Sequence, residues 1–401
     1  MAVIKNFQEE KEARQQDNVD YREKIRAHKL AVVLGSVIGT VVLLTVLILI
    51  NRMWSRKSFS EFTVIDSAPI SVVSSATAQK LGESVLVYSK DGASCMDAKG
   101  KAIWNRSYEM QSPIVSVCNT TAAIGDYNGR DIYVVSEEAI LGTVHTNLPI
   151  RAIAVSDNGV VATVLDDSDV IRIYVYDGNE DTSEPIVQAK ATMAKSGYPI
   201  SVSLSPNGKL MMVSYFYVDS GNMKSSVSFY NFGEVGSNKV DNFVSGFDYS
   251  NSVMPYVQFL DNDSAFGISD DRIVFFSGNE IPENVATALL NEKVMGVYYS
   301  PSYVGLVFID STGEGIYRLD TYSPSGSKLS SIKFNVEYTD IKYTKDQIII
   351  YGSTECQIFT VKGVEKYLGN FDNTVKLLLP GKSAYKYTLI TPTELDMVEL
   401  N

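Results

Sequence analysis

PIRAIAVSDNGVVATVLDDSDVIRIYVY, residues 149–176, is the stretch that decides the fold. Pro149-Ile150 opens a β-branched run, Ser156-Asp157-Asn158-Gly159 turns the chain, and further runs follow, ending in Ile171–Tyr176. A proline at a strand's first residue removes no ladder hydrogen bond, and Ser, Asp, Asn and Gly are the residues of tight turns. The same opening stands at Pro69-Ile70 (PISVV), Pro113-Ile114 (PIVSV) and Pro199-Ile200 (PISVSL), the last followed by the turn Ser205-Pro206-Asn207-Gly208. Pro255 (PYVQFL), Met295 (MGVYYS), Thr339 (TDIKYT) and Val375 (VKLLL) extend the series, at intervals of 36 to 56 residues. Ser84–Tyr88 (SVLVY), Ser226–Tyr230 (SVSFY) and Gln347–Tyr351 (QIIIY) have the same strand character.

Four strands in about 40 residues make one propeller blade. The openings therefore predict an all-β domain, an eight-bladed β-propeller over residues 62–401, with seven blades as the nearest alternative count. Two packed sandwiches are the competing fold, and they leave the recurring Pro-Ile unexplained. Ring closure needs a strand for the last sheet beside Val375–Leu379, Tyr387–Thr391 and Leu395–Leu400, and Phe62–Asp66 (FTVID) is the expected donor. Strict alternation would set Phe62, Val64 and Asp66 on one face, and losing the strand would remove several buried side chains.

Ahead of the propeller, Leu30–Ile50 reads LAVVLGSVIGTVVLLTVLILI, without a charge. A helix of this length spans ~31 Å, the thickness of a bilayer's hydrocarbon core. Asn51-Arg52-Met53-Trp54 follows instead of a small-residue cleavage site, so the segment is expected to remain as a signal anchor. The expected organisation is a cytoplasmic tail (1–29), a transmembrane helix (30–50), a juxtamembrane linker (51–61) and an extracytoplasmic propeller. Arg22, Lys24, Arg26 and Lys29 before the helix, against Arg52, Arg56 and Lys57 after it, favour that orientation. Trp54 suits an interfacial anchor. Gly35 and Gly39 form G-x-x-x-G, a spacing that allows two helices to pack as a homodimer.

Of 35 Lys/Arg and 47 Asp/Glu, the tail holds seven and six, which leaves the rest of the chain with 28 and 41. So acidic a domain is a poor partner for phosphate backbones, and no nucleic-acid partner is expected. Three cysteines, Cys95, Cys118 and Cys356, fall in strand-like runs without C-x-x-C and read as small buried residues. Of the two histidines, His28 lies in the tail and His145 in a strand. No H-E-x-x-H, nucleophile elbow or Walker loop occurs. Acidic groups at Asp166-Asp167-Asp169, Asp261-Asp263 and Asp270-Asp271 offer carboxylate pairs for glycoside cleavage or oxygens for calcium, yet Asp is also the usual turn residue. Tyrosines such as Tyr215, Tyr217, Tyr298, Tyr299 and Tyr303 suit either a platform for sugars and peptides or the filling between blades. No catalytic residue, metal ligand, cofactor or cofactor-binding residue is expected.

Met96-Asp97-Ala98-Lys99-Gly100-Lys101-Ala102-Ile103-Trp104 resembles the D-A-x-x-G-K-x-x-W blade motif of quinoprotein-like propellers, one residue short between Ala98 and Gly100. Quinone-cofactor chemistry would need a tryptophan-lined floor, and the chain has two tryptophans. The Ser-x-Asn-Gly turns at Ser156 and Ser205 resemble those of WD40-like propellers. In layout the whole chain resembles an uncharacterised clostridial family of membrane-anchored proteins, a domain of unknown function. That resemblance implies a Gram-positive bacterium and a cell-surface location, and it carries no functional residues. The expected function is a binding or scaffold module for a protein or cell-envelope ligand. The alternatives are a transmembrane sensor signalling through its short tail and an envelope hydrolase using acidic residues.

Overall fold

In the computed structural model of the chain, which describes residues 2–401 apart from 56–57, 74, 168–169, 192–196, 382 and 384, the repeats form eight antiparallel sheets of four strands each. Blades 1 to 8 begin with Thr77–Leu81, Pro113–Cys118, Ile150–Val155, Tyr198–Leu204, Tyr256–Phe259, Gly296–Ser300, Asp340–Tyr343 and Leu377–Pro380. The second strands, such as Ser84–Tyr88 and Gln347–Tyr351, are buried along nearly their whole length. Sheets cover them on both faces, so they are apolar runs and not alternating ones. Outer strands such as Glu283–Leu289 are mostly exposed.

Eight separate apolar clusters fill the joints between successive blades. Val134 and Val144 meet Val161 and Tyr176 between blades 2 and 3, and Ile173 and Val175 meet Met211 and Val213 between blades 3 and 4. The last joint, between blades 8 and 1, sets Leu377, Ile390 and Leu395 against Val85 and Met96. Each such side chain contributes roughly 1.5–3 kcal/mol on burial. Polar staples cross the same joints. The Asp157 carboxylate, in blade 3's first turn, accepts Thr120 N–H (2.9 Å) and Thr120 Oγ1–H (2.8 Å) from blade 2. Gly159 and Gly208 complete their turns at φ +86° and +68°, backbone angles that strain a residue bearing a Cβ.

The ring closes through Phe62–Pro69, which pairs antiparallel with Glu394–Leu400 as the outermost strand of blade 8. Three expectations are corrected here. Pro69 ends the closing strand, and blade 1 opens at Thr77–Leu81 instead. Ile70 and Val72 continue along blade 8, donating N–H to Thr393 O and Pro392 O at 2.9 Å each. A bulge at Ile65 breaks the alternation, so Phe62, Val64 and Ser67 stand opposite Leu400, Val398 and Asp396, and Asp66 pairs with Met397. The strand is also largely exposed, and among the described residues it is the outermost of its sheet. Its anchor is Phe62, whose ring meets Tyr367 at 4.5 Å, Phe371 at 5.6 Å and Tyr387 at 5.7 Å. Contacts begin at Phe59, whose N–H donates to Lys366 O (2.7 Å) and whose ring lies 4.4 Å from Tyr385.

The N-terminal residues form one helix, Ala2–Ser55. Its segment Lys24–Leu47, with mean hydropathy 2.6, is long and apolar enough to cross a membrane. Thr40 and Thr45 donate their hydroxyls to the Ser36 and Val41 carbonyls (2.9 and 2.6 Å), so both side chains are satisfied within the helix.

Replacing the anchor should loosen the ring. Phe62→Ala is expected to cost about 2–3 kcal/mol through lost burial and ring contacts. Ile65→Ala, at a site 44% exposed on the same strand, should cost under about 0.5 kcal/mol. Equal thermal midpoints for the two variants would contradict this account of closure.

Candidate functional site

The first strands of successive blades converge on the ring axis, where residues from six blades line one cavity of about 380 Å³. Its lining includes Ser116, Cys118, Ser201, Gln258, Tyr256 and Tyr299, and no lining residue is charged. First strands present free N–H groups toward neighbouring blades, and serines answer them. Val155 N–H donates to Ser116 Oγ (3.1 Å), Val257 N–H to Ser201 Oγ (3.2 Å) and Phe259 N–H to Ser203 Oγ (3.0 Å). Burial pushes the Tyr256 phenol above its usual range. The channel thus offers hydroxyls, amides and a protonated phenol. It can hold a neutral polar group and supplies no acid–base pair.

Five of the singled-out carboxylates, Asp166, Asp167, Asp261, Asp270 and Asp271, are committed elsewhere. Arg151 Nε donates to Asp166 (2.9 Å) and Arg172 Nε to Asp167 (2.7 Å), while Asp169 lies outside the described residues. Asp261 accepts the N–H groups of Asp263 and Ser264 (2.8 and 2.7 Å), closing a turn. Asp270 accepts Val253 N–H at 3.2 Å. Asp271 accepts Arg272 Nε–H (2.9 Å), Ser252 Oγ–H (2.8 Å) and Ser269 Oγ–H (2.7 Å), and the guanidinium holds its carboxyl well below the usual range. His145 Nδ1 lies 2.7 Å from Asp131 on an exposed hairpin of blade 2. Among the described residues, no three His, Cys, Asp or Glu side chains gather as a metal site would require.

Most singled-out aromatics serve the joints. Trp104 Nε1–H donates to Ser136 O of blade 2 (2.9 Å), and Tyr303 Oη–H to Lys345 O of blade 7 (2.7 Å). Tyr298 meets Tyr338 at 6.0 Å, and Tyr215 Oη lies 2.8 Å from Tyr230 Oη. Tyr299 opens onto the channel, and Tyr217 lines a separate hollow on blade 4 with Ser226, Ser228 and Gly246. All three cysteines are free, Cys95 and Cys356 buried and Cys118 half-buried. Burial pushes the Cys95 and Cys118 thiols up to about 11, so neither is a nucleophilic thiolate at neutral pH. Gly35 and Gly39 are exposed one turn apart on the helix, with nothing within 4 Å of an added Cβ. Trp54 is helical, and its side chain lies outside those described.

Burial also pushes the phenols of Tyr176 and Tyr367 up to about 12. A raised folded-state value means their stabilising contribution is complete below the unfolded-state value, about 10, and is lost as pH rises toward the folded one. Tyrosinate absorbance is therefore expected to rise together with loss of β-sheet circular dichroism, above about pH 10. Ionisation of these buried phenols at ordinary pH values in an intact fold would contradict the burial.

A model of a family of unknown function (DUF5711) matches residues 55–400. No curated protein matches the sequence. Among solved structures, apo AztD from Citrobacter koseri is similar at 10% identity, covering 75% of this chain and 87% of that one with a TM-score of 0.52. BamB from Moraxella catarrhalis shares 11% identity over 85% of this chain and 100% of that one, with a TM-score of 0.47. Hsv2p from Kluyveromyces lactis shares 10% over 74% and 97%, also at 0.47. At these identities the likeness is one of fold alone.

Proposed function

The chain belongs to the DUF5711 family of unknown function, and we propose that it is a membrane-anchored binding or scaffold module whose propeller faces outward to hold a protein or cell-envelope ligand. The observation that carries this reading is a closed, eight-sheet ring in a chain that begins with a membrane-length helix. A closed ring has a rigid core, and its end loops and channel are free to vary for recognition. The neutral channel, which supplies no acid–base pair, supports a non-catalytic role. The basic residues ahead of the helix support a cytoplasmic tail.

The test is made in cells. Protease added to cells stripped of their wall should digest the propeller and spare the tail, and cross-linking through the propeller should recover a defined partner. A protected propeller would overturn the orientation, and cross-linking that recovers no partner above a helix-only control would overturn the binding role.

A second reading, a paired sensor signalling through the tail, is favoured by the open Gly35–Gly39 face. Replacing both glycines with leucine should abolish helix–helix cross-linking in membranes. Unchanged cross-linking would remove these glycines from any dimer contact.

A further inference from the structure

Blades 7 and 8 enclose a cleft of about 550 Å³ beside the closing strand. One wall is aromatic: Phe62 and Phe371 stack at 5.6 Å, and the Tyr367 ring meets Phe62 edge-on at 4.5 Å. The other lining groups include four carboxylates, Glu61, Asp372, Glu394 and Asp396, and, among the described residues, no Lys, Arg or His. Asp396 sits deepest, at 7% exposure. The bulge at Ile65 sets Ser67 opposite it, and Ser67 Oγ–H donates to Asp396 Oδ1 at 2.6 Å.

That hydroxyl is a neutral donor, and among the described residues no basic side chain lies within ion-pair distance of Asp396. Several other buried or half-buried carboxylates of the propeller have such partners, as Asp320 has Lys328 at 2.8 Å and Asp340 has Lys342 at 2.7 Å. A carboxylate taken out of water without a cation is costly, and a cation entering the cleft would recover that cost. Aromatic faces beside carboxylates accept an organic cation in particular, with its methylene stem on the rings and its charge toward the oxygens. The volume falls within the ~300–1,000 Å³ of ligand sites.

The cleft adjoins a free sheet edge. Phe62–Pro69 is the last strand of its sheet, and Val64 and Ile65 are 56% and 44% exposed. An extended peptide can pair with such an edge while its side chains enter neighbouring pockets. We propose that this cleft binds a basic peptide segment of a partner protein, seating a lysine or arginine side chain between the Phe62–Phe371 wall and Asp396. The inference rests on the binding-module reading for the partner's being a protein, and on the cleft alone for its chemistry.

The test uses the full chain in detergent micelles and a labelled oligolysine peptide, read by fluorescence anisotropy at about 0.15 M salt, where distant surface charges are screened. Asp396→Asn, which keeps the acceptor for Ser67, and Phe371→Ala should each weaken binding about tenfold. Glu283→Gln, which removes one exposed charge from blade 5, should leave it unchanged. The peptide with acetylated lysines should not bind. Equal losses in Glu283→Gln and Asp396→Asn would assign the binding to the diffuse acidic surface and overturn the proposal. So would equal competition by cadaverine, which would make the ligand a free amine. Melting curves for each variant separate loss of binding from loss of fold. Failure of this titration beside an intact cross-linked partner in cells would sink the cleft and leave the binding module standing.

Discussion

The antiparallel pairing of Phe62–Pro69 with Glu394–Leu400 is the contact on which the rest of the domain depends. Without it, blade 8 has three strands and exposes the edge of Glu394–Leu400, a template for pairing with other chains. The joint between blades 8 and 1 would then rest on side-chain packing and the backbone bonds of Ile70 and Val72. Closing so long a loop costs little more entropy than closing one half its length, because the cost grows only with the logarithm of length. The pairing thus joins the domain's two ends at modest expense and couples eight apolar joints into one ring.

Polar side chains repeat this coupling on a smaller scale. Asp157, Ser116, Ser203 and Trp104 each bond to a neighbouring blade's backbone or turn. Residue types that could suggest chemistry are therefore spent on geometry: aspartates on turns and arginines, serines on strand N–H groups, tyrosines and tryptophan on joints. This use follows from the architecture. Twisted sheets packed around an axis leave backbone groups facing one another across each joint, and buried polar groups require partners. The axial channel and the blade 7–8 cleft are two of the places where the packing leaves room, and they differ in kind. One is neutral and hydroxyl-rich, whereas the other is aromatic and acidic.

The closing strand also shapes the cleft. The extra residue at Ile65 shifts the strand's parity, bringing Ser67 to Asp396 and keeping Phe62 against blade 7. The same eight residues thus close the ring and complete a pocket wall, which ties the pocket's existence to the domain's integrity.

The sequence by itself determined the strand period, the blade count, the donor of the closing strand and the membrane-length helix. Each is a local pattern whose cause is local: turn residues need particular backbone angles, doubly covered strands need apolar runs, and a bilayer needs unbroken apolar length. Tertiary structure decided the rest. Thr77–Leu81 (TAQKL) carries no β-branched run, so nothing local marks it as blade 1's opening, and Pro69 looks like an opening because an edge strand tolerates proline at its end as well. The bulge at Ile65 exists only against Val398 and Met397, its partners at the far end of the chain. The cleft draws on residues 60–67, 367–373 and 389–398, which no window of sequence brings together. Its burial, and its lack of a countercharge among the described residues, arise only when the ring closes, because charge and burial at a pocket belong to the neighbours that folding supplies.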